Sequence, residues 1–470
     1  MNKREEIGHR PVGYLSAGAA FLASFGFFLA AYPYHLIRRE QLNLFVYDWD
    51  YIAGRFRGAG WLARLAGSFA EQFFCVRVLG PLIVSLLLVA IGAVTYRICR
   101  KCLGKRVSLA VAALIFLWSF LRECGSLYQT RYTIAVLGFL SLVLLALQFK
   151  KAFGKALAAA LLLCAGAWAL GSPCDRVYGK LWGVPRMSAE RLIGLDAEVA
   201  RENWDRVLKL SEKDLYMTES SVCYNLAQAM KGRLGNTLFE HSQADPYHFL
   251  LSVSGDYNIF ANCLAGEQWY QLGDMTVAEQ SAITALQASP EHTGARFIER
   301  LARVNIVTGQ EAAAQKYLNL LRKTLFYRKW ALSMLEGAPA AEDRAWIERA
   351  RSNMAVSDFI YVPDVPRSIL HGLLEANPDN TPAREYLLCY DLLRYDLEQF
   401  VEDYDLRRLD GHIYKEALVI WLGQDGFIPQ HALDEYGLDD RLRQRMDSFS
   451  HYPQNYPDTY WYYYFKALNQ

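Results

Sequence analysis

The chain has 470 residues, of which 53% are hydrophobic and 14% aromatic, and its net charge is +1. This average conceals an asymmetry, because residues 1–185 carry 21 basic and 8 acidic side chains, a net +13, whereas the remainder carries 29 and 41, a net −12. The long apolar runs lie in the basic part, which excludes a purely cytosolic globular protein, a nucleic-acid binder driven by overall positive charge and a small disulfide scaffold.

Five apolar stretches in the basic part approach the roughly 20 residues that a helix needs to cross a bilayer. They are Val12–Tyr32, Val78–Tyr96, Val107–Leu121, Tyr132–Phe149 and Ala156–Leu170. The third and fifth are the shortest and need flanking residues to span. We therefore predict a membrane domain over residues 1–170 with about five transmembrane helices and a long first extracytoplasmic loop at 33–77.

The charges of the short loops predict the orientation of these helices, because Lys and Arg beside a span resist translocation. Residues 97–106 contain five cations and no acid, and residues 150–155 contain three lysines. Both loops and the N-terminus are therefore expected in the cytoplasm, and everything after the fifth span in the periplasm. The arginine-rich loop 33–77 disagrees, but it is long and mixed in sign. A cleaved signal peptide is disfavoured because the first apolar run exceeds a usual h-region.

Apolar residues after Ser188 recur at helical spacing, with few alternating runs that would indicate strands. In "YQLGDMTVAEQSAITALQASP", Gly273 marks a turn between two helices, and Ala278 supplies a small contact on the second. The same five-residue interval recurs 36 residues later, from Gly309 to Ala314. The residues expected to pack these repeats are Gly273, Ala278, Ala285, Pro290, Gly309 and Ala314.

This pattern resembles the tetratricopeptide (TPR) repeat, in which small residues let two antiparallel helices approach closely. Such helix pairs cannot bury their own apolar faces, so neighbouring pairs must stack. The expected fold is all-α, with an N-terminal transmembrane helix bundle at 1–170, a linker at 171–187 and a TPR-like α-solenoid at 188–470.

Several segments together resemble an uncharacterised family of Bacteroidales multi-pass inner-membrane proteins, a domain of unknown function with a TPR-like C-terminal half. These segments are "YHLIRREQLNLF", "EQFF", "SVCYNLAQAMKGRLGN" and "YLNLLRKTLFYRKW". The resemblance implies a bacterial inner membrane and a periplasmic second half. It assigns no reaction and no catalytic residue.

Asp48 and Asp50 in "YDWD" are the candidate catalytic residues. Paired acids in an outer loop resemble the base or metal-binding acids of multi-span lipid-linked glycosyltransferases. The alternative is an ordinary interfacial loop, because Trp49 and Arg55 lie beside these acids. We favour the interfacial loop.

The cysteines give no clear metal or redox site. Cys99 and Cys102 form a C-x-x-C without a second pair or nearby histidine, so we expect no metal. In the outer part, four cysteines could form disulfides in an oxidising compartment or remain reduced in the core. They are Cys174, Cys223, Cys263 and Cys389.

The remaining motifs argue against common enzyme classes. The sequence has no HExxH, Walker-type loop or G-x-S-x-G, so no cofactor is expected. Arg122 and Glu123 close the third apolar stretch, where we expect a helix-end ion pair.

The C-terminal tail "HYPQNYPDTYWYYYFKA" is the densest aromatic segment. Tyr460, Trp461 and Tyr463 are candidates for a sugar- or peptide-binding surface. Alternatively, the tail is a terminal helix that caps the solenoid, because Trp461, Tyr464 and Phe465 share one helical stripe. The cap is the favoured alternative.

These features favour a membrane-anchored periplasmic scaffold that binds a protein or peptide and no nucleic acid. The alternative is a glycosyl- or lipid-transferase at the outer face of the inner membrane, with Asp48 or Asp50 as base. Further spans or a lipid-filled groove beside Asp48 would favour the enzyme, and a closed bundle with an open solenoid would favour the scaffold.

Overall fold

In the computed structural model, most of the described residues lie in helices. The described residues are 10–125, 127–148, 153–171, 183–243, 248–253, 258–355, 366–406, 408–424, 428 and 430–468, and they include no strand. The all-α prediction is therefore confirmed for these residues. The predicted linker falls largely outside them, at 172–182.

The chain forms two compact units, and both are discontinuous in sequence. The first comprises Met1–Ile193, Ser289–Glu299 and Lys316–Ala338, and the second comprises Gly194–Ala288, Arg300–Gln315 and Pro339–Gln470. Two segments from the middle of the predicted repeat region thus belong to the first unit.

The described residues before the linker form eight helices, and every predicted apolar stretch coincides with one of them. They are α1 (Arg10–Gly26), α2 (Tyr34–Gln41), α3 (Trp49–Arg55), α4 (Trp61–Glu71), α5 (Leu79–Cys99), α6 (Lys105–Glu123), α7 (Thr130–Ala146) and α8 (Phe153–Leu170). A π-helical turn extends α1 to Ala31, and Pro33 precedes α2. Proline cannot donate a backbone hydrogen bond, which accounts for a 76° bend between Leu15–Ala31 and Tyr34–Gln41.

The long helices of the first unit pack side by side: α5 contacts α1, α6 and α7, and α7 contacts α8. Glycines allow close approach, because a Cβ at Gly138 would lie 2.8 Å from the Leu170 side chain. The short helix α4 packs on α7 and α8. A core cluster forms where α1, α2, α5 and α6 meet, made of Phe28, Tyr32, Leu36, Phe74, Val84, Leu88 and Cys124.

Among the described residues, one helix, α5, is long and apolar enough to cross a membrane. Helices α1 and α2 are long and apolar enough together, if they form one broken span, whereas α7 and the apolar part of α8 are shorter. The core helix of a soluble protein and a signal sequence can have the same length and apolar composition. The predicted count of about five spans therefore stays a prediction.

Seventeen further helices lie in the described residues after α8. They are α9 (Met187–Ala200), α10 (Trp204–Ser211), α11 (Thr218–Met230), α12 (Leu234–Thr237), α13 (Ile259–Leu272), α14 (Met275–Ala288), α15 (Ala295–Val307), α16 (Glu311–Leu321), α17 (Arg328–Leu335), α18 (Ala341–Asn353), α19 (Pro366–Ala376), α20 (Thr381–Leu393), α21 (Leu397–Leu406), α22 (His412–Leu422), α23 (Gln430–Tyr436), α24 (Asp440–His451) and α25 (Tyr460–Leu468). Short 3-10 turns occur at Gln72–Cys75, Leu238–Glu240, Pro290–His292 and Pro453–Asn455.

Helix α20 is central to the second unit and contacts α11, α12, α13, α19 and α21. The Glu385 carboxylate on α20 accepts hydrogen bonds from the backbone N–H groups of Leu234 (3.2 Å) and Gly235 (3.5 Å). A solenoid makes contacts only between sequence neighbours, whereas these residues are about 150 positions apart. The second unit therefore contains antiparallel helix pairs that also pack around α20.

Candidate functional site

The most polar part of the first unit's interior surrounds the short helix α2. We call it the α2 polar cluster: Tyr32, His35, Arg39, Glu40, Glu71, Glu123, Tyr128, Thr133 and Glu190. Three charged or ionisable side chains, His35, Arg39 and Glu40, point from one eight-residue helix into the interior, each at most 5% exposed. Buried charges are stable only when they are paired, so their partners define what the cluster does.

The N-terminal end of α2 is held by Glu190 from α9. Its carboxylate accepts from the backbone N–H of Tyr34 at 2.6 Å and of His35 at 3.1 Å, and it also contacts the His35 ring. The Tyr32 hydroxyl donates to the Cys124 carbonyl at 3.0 Å. A carboxylate beside the free N–H groups of a first helical turn is favourable, because it satisfies them and complements the helix dipole.

Arg39 joins α2 to the end of α6. Its guanidinium pairs with the Glu123 carboxylate and donates to the Glu123 carbonyl at 2.5 Å. Thr133 of α7 donates to the same carboxylate. The structure thus gives Glu123 a different partner from the predicted Arg122. The Arg122 guanidinium lies over the Trp118 and Tyr128 rings instead, about 5 Å from their centroids.

Glu71 at the end of α4 caps α7, because its carboxylate accepts from the Thr130 backbone N–H at 2.7 Å. Burial raises the pKa of the Glu71 carboxyl to about 7, although the Thr130 N–H opposes this shift. Burial also raises the pKa of the Tyr128 hydroxyl. The cluster therefore joins α2 to the ends of α4, α6, α7 and α9.

A small cavity adjoins the cluster and is lined by polar side chains including Asn43, Arg64 and Glu71. Its volume of about 20 Å³ is enough for a water molecule but not for an organic substrate. The charged groups of the cluster face one another instead of an open cleft. Chemically, the arrangement is suited to fixing helix ends.

The predicted catalytic acids lie at the start of α3. Asp48 is the N-cap residue, with one carboxylate oxygen accepting from the Asp50 N–H at 3.0 Å and the other from the Lys323 ammonium at 2.5 Å. The hydrogen bond from Lys323 lowers the pKa of Asp48. Asp50 is exposed in the first turn. Asp48 is thus engaged in a helix cap and an ion pair, which makes it a poor candidate for a general base.

The cysteines in the described part of the chain form no disulfide with one another. Cys223 and Cys389 are fully buried and Cys263 is partly buried, whereas Cys174 lies outside the described residues. Cys99 is partly buried and Cys102 exposed. No group of three or more potential metal ligands occurs in the part that the structure describes.

The prediction that residues of the aromatic tail form a binding surface is corrected by their burial. Tyr460 and Trp461 are completely buried, so they do not form a binding surface. Glu416 of α22 accepts from the Tyr460 backbone N–H at 2.7 Å, and its carbonyl accepts from the Trp461 indole at 2.8 Å. Tyr463 is half-buried, donates to the Leu393 carbonyl and stacks on Tyr395. The tail therefore packs against α22 and the end of α20, and the prediction that it caps a solenoid stays a prediction.

Gly273, Ala278 and Ala285 lie in the contacting helices α13 and α14 or in the turn between them, whereas Pro290 begins a 3-10 turn of the first unit. Gly273 ends α13 in a left-handed conformation with φ = 115°, and Gly309 has φ = 74°. Ala278, Ala285, Pro290 and Ala314 are all buried. Helices α13 and α14 approach closely at Gly266, where a Cβ would lie 2.8 Å from the Ser281 Cβ. The sequence interpretation missed Gly266, although its position seven residues before Gly273 could have indicated a helix contact.

Substitutions at the two alanines test this packing. Ala278 contacts a cluster that includes Tyr270, Val304 and Trp346, so Ala278→Leu should overpack it and cost about 1 to 3 kcal/mol of unfolding free energy. Ala314→Leu should behave similarly, whereas the exposed Ala312→Leu should change stability by less than about 0.5 kcal/mol. Chemical denaturation of the three variants measures this. Equal tolerance at all three positions would contradict the predicted packing.

Comparison with known proteins identifies the chain's relatives only at the level of a family. No curated protein and no solved structure matches the chain. A family described as "Family of unknown function (DUF6057)" matches residues 9–178 and 175–467. These two matches cover nearly the whole chain, which therefore belongs to the DUF6057 family.

Proposed function

We propose that the protein is a membrane-anchored periplasmic scaffold: the first unit is a multi-pass anchor in a bacterial inner membrane, and the second binds a protein or peptide. The resemblance to Bacteroidales multi-pass proteins supports the bacterial inner membrane. Asp48 caps a helix and pairs with Lys323. Because these contacts engage its carboxylate, they favour the scaffold over the transferase alternative.

The observation that carries the membrane assignment is the exposure of apolar side chains on the long helices. In the most apolar stretch of α5, only 28% of residues are buried, whereas the core helix of a soluble protein is mostly buried. Large exposed apolar patches indicate an interface or a membrane. Large apolar side chains exposed on α1, α5, α6, α7 and α8 include Leu15, Leu22, Leu86, Leu114, Leu117, Phe139, Leu161 and Trp168.

Contacts within the first unit support the proposed alternation of its helices across the membrane. With five spans, the ends of α1, α6 and α8 and the starts of α5 and α7 share the outer side. Tyr32 after α1 bonds to Cys124 after α6. At the two ends of α4, Glu71 bonds to Thr130 at the start of α7, and the Gly60 N–H donates to the Trp168 carbonyl near the end of α8 at 2.8 Å. The basic residues 97–106 then lie on the opposite side, which is the cytoplasm by the positive-inside rule.

Reporter fusions test this topology. Fusions after Lys105 and Lys155 should report the cytoplasm, and fusions after Tyr178 and at Gln470 should report the periplasm. The reason is that the basic loops stay inside and an odd number of spans separates them from the second unit. A cytoplasmic reporter at Gln470 would overturn the orientation and the periplasmic assignment.

Partner binding by the second unit is supported by its TPR-like helix pairs and by exposed side chains. Tyr216 is 82% and Leu406 75% exposed, and Tyr395 is partly exposed beside Tyr463. Exposed aromatic residues are frequent anchors of protein interfaces. The excess of acids after residue 185 favours a partner with a basic surface.

In-cell photo-crosslinking tests the scaffold proposal. A photoreactive phenylalanine at Tyr395 or Tyr216 should give one reproducible protein adduct, and the same label at the buried Trp461 is the matched control. A segment of the captured protein should then bind the purified full chain saturably. Adducts to lipid alone, or none above the Trp461 control, would contradict the scaffold function.

A further inference from the structure

A short basic segment of the first unit combines exposed apolar and cationic side chains. We call residues 322–330, "RKTLFYRKW", the basic loop; it lies at the junction of α16 and α17. Leu325 is 48% and Phe326 39% exposed at its tip. Four cations flank these two residues at positions 322, 323, 328 and 329.

The basic loop is fixed against α2, the start of α3 and the segment that leads into α5. The Phe326 ring meets the Phe73 ring edge-on, with centroids 5.8 Å apart. The Tyr327 hydroxyl donates to the Glu40 carboxylate at 2.8 Å, and the Lys323 carbonyl accepts from the Tyr47 N–H at 2.7 Å. These contacts hold the tip in one position even though Leu325 and Phe326 are exposed.

Two exposed apolar residues also lie at the start of α5, shortly after Phe73 in the sequence. Val76 is 38% and Val78 49% exposed, and α5 begins at the next residue, Leu79. With 21 residues, α5 is about 31 Å long, close to the thickness of a bilayer's hydrocarbon core. If α5 crosses the membrane, Phe73 and Phe326 therefore lie at the level of the headgroups.

The basic loop carries four cations, and three acids, Glu40, Asp48 and Glu299, lie near it. Asp48 pairs with Lys323, and Glu40 accepts from Tyr327. Arg322, Arg328 and Lys329 are exposed to solvent. An apolar tip flanked by cations is typical of segments that bind the interface of an anionic membrane.

We propose that the basic loop is a second membrane contact: Leu325 and Phe326 insert among the headgroups beside α5, and Arg322, Arg328 and Lys329 bind anionic phospholipid headgroups. The inference rests on the proposed membrane anchor and adds a lipid preference to it. The partner is a lipid surface, because the exposed apolar residues adjoin a helix of membrane-spanning length and the flanking charges are cationic.

Photo-crosslinking in lipid nanodiscs tests this inference with the full chain. A photoreactive phenylalanine replaces Phe326 and, as a control, Tyr216, which is aromatic, more exposed and near Glu212, Asp214 and Glu219. The discs contain phosphatidylcholine with or without phosphatidylglycerol. We expect severalfold more lipid adduct at position 326 than at 216, with phosphatidylglycerol over-represented among the adducts.

Charge removal tests the headgroup preference. The triple variant Arg322→Gln, Arg328→Gln, Lys329→Gln should keep lipid adducts at position 326 but lose the excess of phosphatidylglycerol, since each cation near a membrane surface contributes roughly fivefold in affinity. A protein adduct, or no lipid adduct, at position 326 of a reconstituted chain would overturn the proposal. Failure of the chain to insert into nanodiscs, with release by alkaline carbonate, would instead overturn the membrane anchor itself.

Discussion

Replacing Arg39 by Met should destabilise the first unit by about 3 to 5 kcal/mol, because Glu123 would remain buried without its guanidinium partner. Both side chains of this pair are almost inaccessible to water, at 4% and 0% exposed. Water cannot replace the lost interaction, although Thr133 would still donate to the carboxylate. Chemical denaturation of the purified chain, followed by tryptophan fluorescence, measures the loss.

Two further variants separate the charge effect from a packing effect. The double variant Arg39→Met, Glu123→Gln removes both charges and should recover a large part of the lost stability. Lys323→Met breaks the solvent-accessible pair with Asp48 and should change stability little, because exposed ion pairs contribute weakly. A double variant no more stable than Arg39→Met would show that Arg39 acts mainly through packing.

The positions of the apolar helices could be predicted from the sequence, because their signal is local. Each of the five apolar stretches is a helix, and the turn at Gly273 ends α13. Apolar periodicity and turn residues are properties of neighbouring residues and can be read along the chain. They do not reveal whether a helix lies in lipid or in a protein core, because both environments favour the same side chains.

The α2 polar cluster could not be predicted, because its pairs are distant in sequence. Arg39 and Glu123 are 84 positions apart, and His35 and Glu190 are 155 apart. Sequence proximity suggested Arg122 as the partner of Glu123. Nevertheless, two segments used for the family resemblance, "YHLIRREQLNLF" and "EQFF", contain His35, Arg39, Glu40 and Glu71 of this cluster.

The aromatic tail shows a different limit of sequence reasoning. A helical stripe indicates which side of α25 is apolar, but it does not indicate whether that side is covered. Glu416 and the α22 backbone cover Tyr460 and Trp461. Likewise, chain order does not indicate that Ser289–Glu299 and Lys316–Ala338 belong to the first unit.

The two turn glycines of the predicted repeats should respond very differently to the same substitution. Gly273 and Gly309 both have positive φ, at 115° and 74°, so a side chain strains the backbone at either position. Their surroundings differ. A Cβ at Gly273 would lie 2.2 Å from the Asn353 carbonyl oxygen, whereas a Cβ at Gly309 has no atom within 4 Å.

Gly309→Ala should therefore cost only the conformational strain, about 1 to 2 kcal/mol. Gly273→Ala should cost about 3 kcal/mol or more, because the clash with a backbone oxygen adds an overpacking cost of about 1 to 3 kcal/mol that no side-chain rotation can relieve. Chemical denaturation gives both values, and circular dichroism checks that each variant keeps its helices. If the two variants lost equal stability, the turn after α13 would not pack against the end of α18, and the helix pair at Gly273 would be as open as the pair at Gly309.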